Sequence, residues 1–274
     1  MCIIDDDTHN IDASRTLDLG NNSLSGKIPS EIGEALTGPF DASSLFFNQI
    51  LLSGNSFSGG LPTEIGKCTG LFLIDVSSNL LSSTVPSEVG LLPFLLSLEM
   101  DFNLMTGQLP DELGFLGLQN LLARQNLLSG SLPTTLRMPG LDLSSNLLSG
   151  TIPTEYVGQA DIAYLQLAHN SLNGKIPSEL GLLSGIPGFP FVRIFLDNNN
   201  LSGSVPQELA YMSPYLVEMN ISGNSLLSGA IPEDLCYLQD DACTYSFADS
   251  GLRECDFGFD CTDRLCGCNE CSCV

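Results

Sequence analysis

The sequence predicts an α/β solenoid, in which short coils of chain stack into one elongated body. A segment rich in leucine returns nine times with a basic period of 24 residues. Within each copy, apolar and polar residues alternate over one short stretch, as they do on a strand with one buried face. Hydrophobic residues make up 43% of the 274-residue chain, which is enough to fill a continuous core. The repeats therefore predict one repeated body rather than several separate domains.

Each copy has the form L-x-L-x-x-N-x-L-S-G-x-I-P-x-E-I-G. In the sixth copy, Leu141 and Leu143 are expected to point into the stack while Asp142 points outward. Asn146 follows where the chain turns inward, and its side-chain amide can satisfy buried backbone groups. Stacked copies then form a ladder of asparagines. The predicted ladder consists of Asn22, Asn55, Asn79, Asn103, Asn126, Asn146, Asn170, Asn199 and Asn224.

The second half of each copy predicts a bend and a short helix on the convex side. A Gly stands at the bend, and a Pro keeps the next segment extended. In most copies a Ser, Thr or Asp follows the Pro and precedes a Glu, as in Ser87-Glu88 and Ser178-Glu179. We expect the first residue of each pair to cap the helix and the Glu to lie near its positive end. Ser83, which replaces the bend Gly, and the short copy at residues 137–140, which lacks the helix, are expected to be tolerated drift.

The L-S-G-x-I-P form resembles the plant-type leucine-rich repeats of receptor-like proteins, receptor kinase ectodomains and secreted cell-wall inhibitors, and similar repeats occur in single-celled algae. The resemblance covers roughly Leu17 to Leu235. It implies a right-handed superhelix of about nine coils whose concave sheet binds peptides or other proteins. We divide the chain accordingly into a truncated or irregular N-terminal cap at 1–16, a repeat solenoid at 17–235 and a Cys-rich C-terminal cap at 236–274.

Eight of the ten cysteines lie in the last 39 residues, where the composition changes from Leu-rich to Cys-, Asp- and Gly-rich. The terminal coil of a solenoid exposes an apolar edge, and disulfides let a short segment with little core cover it. The candidates for these disulfides are Cys236, Cys243, Cys255, Cys261, Cys266, Cys268, Cys271 and Cys273. Eight cysteines allow 105 pairings, among which the sequence does not choose. The competing interpretation is a zinc site formed by the closely spaced thiolates at 266–273.

Two cysteines lie outside this tail. Cys68 is expected to be a buried free thiol on the convex side, and Cys2 is assigned to the irregular N-terminal cap. The first residues show neither a basic region nor a long apolar run, so no signal peptide is recognised and a truncated start is expected. No apolar run is long enough to cross a membrane.

Charge and motif content exclude several classes of function. Thirty-two acidic residues against nine basic ones give a net charge of −23, which disfavours nucleic acid and anionic membranes as partners. No phosphate-binding glycine loop, kinase motif or metal-binding histidine pair is present. His9 and His169 are far apart in sequence, which argues against a catalytic triad. We therefore expect no enzymatic activity, no cofactor and no metal.

A binding surface remains as the functional feature. The outward residues at the centre of each L-x-L are Asp18, Leu51, Asp75, Glu99, Leu122, Asp142, Gln166, Phe195 and Asn220. Further outward positions are Asp101, Phe102 and Arg124. An aromatic and arginine cluster is typical of an interface hot spot, although scattered exposed residues on a drifting repeat would look the same. The predicted binding residues are Tyr164, Gln166, His169, Arg193, Phe195 and Asp197.

These features favour an extracellular recognition module, secreted or at the cell surface, that binds a protein, a peptide or a wall glycan on its concave face. A co-receptor is compatible with this interpretation. Three N-x-S/T sequons, at Asn21, Asn200 and Asn220, fit a secreted glycoprotein. The alternative is an intracellular scaffold whose Cys-rich tail binds zinc.

Overall fold

The computed structural model describes residues 16–35, 48–156, 162–186, 191–212, 214–232, 235 and 244–246. Its main feature is a ten-stranded parallel sheet in which consecutive coils contribute neighbouring strands. The strands, numbered in chain order, are β1 (Thr16–Asp18), β3 (Gln49–Leu51), β5 (Leu73–Asp75), β7 (Ser97–Glu99), β9 (Asn120–Leu122), β11 (Gly140–Asp142), β13 (Tyr164–Gln166), β15 (Val192–Phe195), β17 (Leu216–Asn220) and β19 (Thr244–Ser246). The predicted α/β repeat solenoid is confirmed.

The last strand of the main sheet comes from the segment that the sequence assigned to the C-terminal cap. β19 pairs in parallel with β17, so the sheet continues beyond Leu235. The eight tail cysteines lie outside the described residues, as do Cys2 and His9. The disulfide and zinc interpretations of the tail therefore stay predictions.

A second set of strands lies where the L-S-G segments stack. These strands are β2 (Ser25–Lys27), β4 (Ser56–Gly59), β6 (Leu80–Leu81), β8 (Thr106–Gly107), β10 (Leu127–Ser131), β12 (Leu147–Gly150), β14 (Ser171–Gly174), β16 (Asn200–Gly203) and β18 (Leu226–Leu227). They form a three-stranded and a six-stranded sheet, which we call the lateral sheets. The division falls at the third copy, where Ser83 takes the place of a glycine. Gly59 and Gly107 in the flanking copies have φ values of 79° and 76°, which Ser83 does not adopt.

The remaining side of each coil carries a single helical turn. One α-helix, Ile32–Ala35, begins this series. The others are 3-10 helices at Thr63–Lys67, Ser87–Leu91, Asp111–Phe115, Thr154–Tyr156, Ser178–Leu182 and Gln207–Met212. The short fifth copy has no helix between residues 132 and 139, as the sequence predicted.

The predicted side-chain capping is wrong for the 3-10 helices that begin at Thr63, Ser87, Asp111 and Ser178. The N-cap residue is the proline itself, for example Pro86, and no side chain caps the helix. Because Ser87 is already the first helical residue, its hydroxyl is not placed to accept from the free N–H groups of that turn. It donates instead to the neighbouring Glu88 carboxylate, with 3.4 Å between Oγ and Oε2.

The interior is a continuous stack of mainly aliphatic side chains, in which Phe57 and Tyr156 are the aromatic members among the described residues. Tyr156 is fully buried at the position where other coils place Ile65, Val89 or Leu113. Its hydroxyl has no hydrogen-bond partner among the residues that the structure describes, and burial raises the pKa of this group. The buried free thiol predicted at Cys68 is confirmed, and burial raises its pKa to about 11.

The asparagine ladder joins each coil to the one before it. Nδ2 of Asn146 donates to Leu143 O (3.1 Å) within its own coil and to Ala123 O (2.9 Å) in the preceding coil. Its Oδ1 accepts from Leu128 N at 3.0 Å. Six ladder side chains are buried, whereas Asn22 in the first described coil is exposed and donates to Leu19 O and Gly20 O within its own coil. One carboxamide thus satisfies backbone groups of two coils.

Replacement of Asn146 by Ala should lower the free energy of unfolding by about 1 to 3 kcal/mol. Leu128 N–H and the carbonyls that accept from Asn146 would lose their buried hydrogen-bond partner. Chemical denaturation measures the effect. Asn22→Ala is the matched control, and it should cost much less because the carbonyls it serves are exposed to water. Equal losses for the two variants would contradict the bridging role of the buried ladder.

Candidate binding face

The register of the main sheet decides which outward side chains stand together. From β3 to β17, each strand has a buried residue flanked by two outward positions, and neighbouring strands pair without offset through most of the sheet. Tyr164 lies beside Arg193, and Gln166 lies beside Phe195. The predicted adjacency of these four residues is confirmed. We call this outward surface of the ten-stranded sheet the main-sheet face.

An aromatic patch occupies the main-sheet face on β13 and β15, and we define it as Tyr164, Gln166, Arg193 and Phe195. The Tyr164 and Phe195 rings pack with centroids 5.9 Å apart and an interplanar angle of 59°. The Arg193 side chain is half exposed, and its Nε lies 3.7 Å from Glu218 Oε2 on the next strand. Sequence reasoning missed Glu218, although its position in the V-E-M-N strand marks it as outward.

The other two predicted binding residues, His169 and Asp197, lie at the ends of the same two strands. His169 Nε2 is 3.7 Å from Asp197 Oδ2, which also accepts from Asn198 Nδ2 at 2.9 Å. The His169 side chain is 60% exposed, whereas the Asp197 side chain is only 10% exposed. The six predicted residues therefore form one surface across two coils, in which His169 is accessible and Asp197 is largely covered.

A second cluster lies two coils away and combines an aromatic ring with an ion pair. The Arg124 guanidinium lies 4.5 Å from the centroid of the Phe102 ring, a cation–π contact. Its Nε is 3.9 Å from Asp101 Oδ2, and the backbone N–H of Arg124 donates to Asp101 Oδ1 at 2.7 Å. The sequence identified these three positions as outward but gave no signal that they form one unit.

The residue before each ladder asparagine adopts a left-handed backbone conformation. The residues other than glycine that do so, with φ between 52° and 55°, are Asn21, Ser78, Phe102, Gln125, Ser145, His169 and Asn198. Gly54 and Gly223 occupy the same position in other coils, with φ of 67° and 68°. A bulky residue in this conformation is strained. Phe102 and His169 are therefore held in place by the coil at some cost in backbone energy.

Several outward carboxylates have a structural role that the sequence did not reveal. Asp75 Oδ1 accepts from the backbone N–H of Ser77 at 3.0 Å, which closes the turn at the end of its strand. The residues that share this contact are Asp18, Asp75, Asp142 and Asn220. Acidic character along the main-sheet face is thus partly a requirement of the turns.

Asp142 and Gln166 differ from the other outward polar residues in their burial. Asp142 is 7% exposed, and its Oδ1 also accepts from Ser144 Oγ at 2.7 Å. Gln166 Oε1 is buried and has no hydrogen-bond donor among the described residues. Gln166 Nε2 lies 3.5 Å from Tyr164 Oη, which is a weak contact. These two strand neighbours therefore present buried acceptors within the aromatic patch.

The three glycosylation candidates lie on different parts of the described surface. Asn21 and Asn200 are exposed, the first in a turn of the first described coil and the second at the start of β16. Asn220 lies on the main-sheet face, where its Oδ1 accepts from Ser222 N. Within the described ranges, no group of three or more His, Cys, Asp or Glu side chains is arranged to hold a metal ion. No described helix is long and apolar enough to cross a membrane.

The repeats match known leucine-rich-repeat sequences and structures. A family model described as Leucine Rich Repeat matches residues 15–35, 162–183 and 215–238. No curated protein matches the chain in sequence. Among solved structures, the chain is similar to the ectodomain of the membrane receptor kinase GASSHO1/SCHENGEN3 from Arabidopsis thaliana, in complex with CASPARIAN STRIP INTEGRITY FACTOR 2. The TM-score is 0.74 and the identity 30%, over 87% of this chain and 27% of that chain.

Two further structures extend this comparison. The plant peptide hormone receptor RGFR1 in complex with RGF2 is similar with a TM-score of 0.65 and 30% identity, over 89% of this chain and 43% of that chain. A plant ice-binding protein is similar with a TM-score of 0.70 and 27% identity, over 89% of this chain and 76% of that chain. The chain spans less than half the length of either receptor structure.

Asp101 should make the stability of the protein depend on pH. Burial raises the pKa of its carboxyl from 3.8 to about 6, assisted by the negative charges of Asp142 and Glu99 and opposed by Arg124. The folded state therefore holds a proton that the unfolded chain has already lost, and stability falls as the pH rises through this window. Asp101→Asn keeps an acceptor for Arg124 N–H, so this variant should be more stable than the wild type at neutral pH. Thermal unfolding should show the difference shrinking as the pH falls from 6 to 4, and a constant difference would contradict the assignment.

Proposed function

Because the chain is a leucine-rich-repeat protein of the plant type, we propose that it is a non-enzymatic recognition module that binds a peptide or another protein on its main-sheet face. The main support for this proposal is the aromatic patch. Its Tyr164–Phe195 pair and the half-exposed Arg193 lie outside the core, side by side on two strands. Aromatic and arginine side chains contribute most of the affinity at protein interfaces.

The similar receptor structures support a peptide as ligand. Both are complexes, and RGFR1 is a peptide hormone receptor. The proposal extends to protein ligands, a co-receptor included, and to a wall glycan. It places the chain outside the cell or at its surface, with the Cys-rich tail as a disulfide-bonded cap, in keeping with the receptor ectodomain to which it is similar. No cofactor or metal takes part in recognition of this kind.

The aromatic patch should carry the affinity for such a partner. Phe195→Ala and Arg193→Ala should each weaken binding by about 1 to 3 kcal/mol, because they remove the ring and the guanidinium that face the ligand. Isothermal titration with a peptide selected on the immobilised protein measures the change. Glu179→Ala, on the side of the 3-10 helices, is the control and should have little effect. Binding that survives both patch substitutions but is lost in Glu179→Ala would move the site to the helical side.

A second candidate function, ice binding, is favoured by the lateral sheets. Four successive copies expose a leucine and, two residues on, carry a hydroxyl group. The exposed leucines are Leu80, Leu104, Leu127 and Leu147. The hydroxyl residues are Ser82, Thr106, Ser129 and Ser149. Paired strands repeat about every 4.8 Å. Because β6 and β8 belong to different lateral sheets, the three copies from Leu104 to Leu147 present uncharged groups at this regular interval, as a ligand with a repeating surface requires.

Measurement of ice growth in the presence of the protein tests this second function. If it holds, the wild-type chain should slow recrystallisation in a frozen solution, and Leu127→Lys should abolish the effect because it places a hydrated charge in the uncharged array. Phe115→Lys, at a residue that is 77% exposed outside the lateral sheets, should leave the effect intact. A wild-type protein that does not alter ice growth would exclude the function.

A further inference from the structure

Asp142 is a buried anion without a cation. Its carboxylate lies on the main-sheet face between Leu122 and Gln166, yet the residue is only 7% exposed. Oδ1 accepts from the backbone N–H and the hydroxyl of Ser144, at 3.0 Å and 2.7 Å. The described residues supply no hydrogen bond to Oδ2 and no positively charged group within ion-pair distance. A carboxylate that is largely buried and has an unused acceptor oxygen attracts a positively charged partner.

Gln166, on the adjacent strand, also has an acceptor atom that lacks a donor. Its Oε1 is buried and accepts no hydrogen bond within the described ranges. Buried polar atoms are nearly always satisfied in folded proteins, so an orphan acceptor on a binding face indicates a donor that arrives with a ligand. Asp142 and Gln166 are direct neighbours in the register of β11 and β13. One donor group with several N–H bonds can therefore reach both.

The described residues of the main-sheet face do not supply this donor group. Arg124 is engaged with Asp101 and the Phe102 ring, and Arg193 lies beside Glu218. These two are the arginines that the described part of the main-sheet face carries, and it carries no lysine. Among the described residues the donor position is thus unfilled, and we assign it to a bound molecule.

The surroundings of the two acceptors favour a cation over a neutral donor. Gln166 lies on the same strand as Tyr164 and beside Phe195, and aromatic rings attract cations. The Arg124–Phe102 contact shows the same arrangement elsewhere on this face. The negative charge of Asp142 also reaches its surroundings, since it contributes, after burial, to the raised pKa of Tyr164. A net charge of −23 further attracts cationic ligands over a long range.

We propose that Asp142 and Gln166 form an anchor subsite for a lysine or arginine side chain of the peptide that binds on the main-sheet face. The carboxylate supplies the charge, the amide oxygen accepts a second hydrogen bond, and the aromatic pair covers the alkyl stem. This inference rests on the proposed function, which by itself says nothing of the charge of the ligand.

Selection of a random peptide library on the immobilised full chain tests the subsite. The selected peptides should share a lysine or arginine at one position, and its replacement by glutamine should weaken binding by about 10- to 100-fold. Asp142→Asn should weaken the binding of the unmodified peptide by a similar factor. This variant should bind the unmodified peptide and the glutamine peptide with equal affinity. Gln166→Met, which removes only the orphan acceptor and its weak contact with Tyr164, should cause a smaller loss.

Asp75→Asn is the matched control, because Asp75 holds the same strand position and accepts from the N–H two residues on at the same 3.0 Å. Its affinity for the peptides should equal that of the wild type. Thermal unfolding provides the second readout: Asp142→Asn should unfold at the wild-type temperature or above it, since an unpaired buried charge is removed. A lower unfolding temperature with unchanged affinity would assign Asp142 a structural role and overturn the subsite.

The outcomes separate this inference from the function on which it rests. Peptides that need Phe195 but show no preference for a basic residue would overturn the subsite and leave the proposed function standing. If every selected peptide binds Phe195→Ala as tightly as the wild type, both the subsite and the proposed function would be overturned.

Discussion

The whole structure depends on the contact between each buried asparagine and the backbone of two successive coils. A single coil has too few residues to bury a core or to satisfy its own inward turn. The ladder carboxamide satisfies the turn, because it donates to carbonyls of its own coil and of the coil before and accepts from an N–H of the coil before. The coils that it holds together then bury a common core. This contact fixes the offset between coils. It therefore also decides which outward side chains meet, such as Tyr164 and Arg193 on adjacent strands.

Those aspects of the structure that follow from periodicity were predictable from the sequence. Alternation placed Leu165 inside and Tyr164 and Gln166 outside, and the spacing of the asparagines set the register. Hydrogen-bond geometry was not predictable, because it depends on backbone positions that a repeat pattern does not specify. The capping prediction at Ser87 failed for this reason. The burial of Asp142 also depends on neighbouring side chains that no single copy reveals.

The strained backbone before each ladder asparagine separates structural from functional positions. Gly54 and Gly223 occupy this position in two coils, because the left-handed conformation by itself favours glycine. Phe102 and His169 bring large side chains to the same strained position, so their identity is not explained by the turn. For Phe102, the cation–π contact with Arg124 offsets part of the strain. For His169, the side chain remains mostly exposed, and its proximity to the Asp197 carboxylate is the only described contact with a charged group.

Two kinds of carboxylate account for the acidity of the chain, and they respond differently to a cation. Those in the 3-10 helices are exposed, such as Glu112, or half-buried, such as Glu88, so a cationic partner would first have to displace their water and would gain little. Asp142 is only 7% exposed in the folded protein, and Ser144 donates to only one of its oxygens. A cation that reaches it meets a charge that is less screened by water than those on the helical side. The distribution of burial, rather than the number of acids, therefore directs a basic ligand to the main-sheet face.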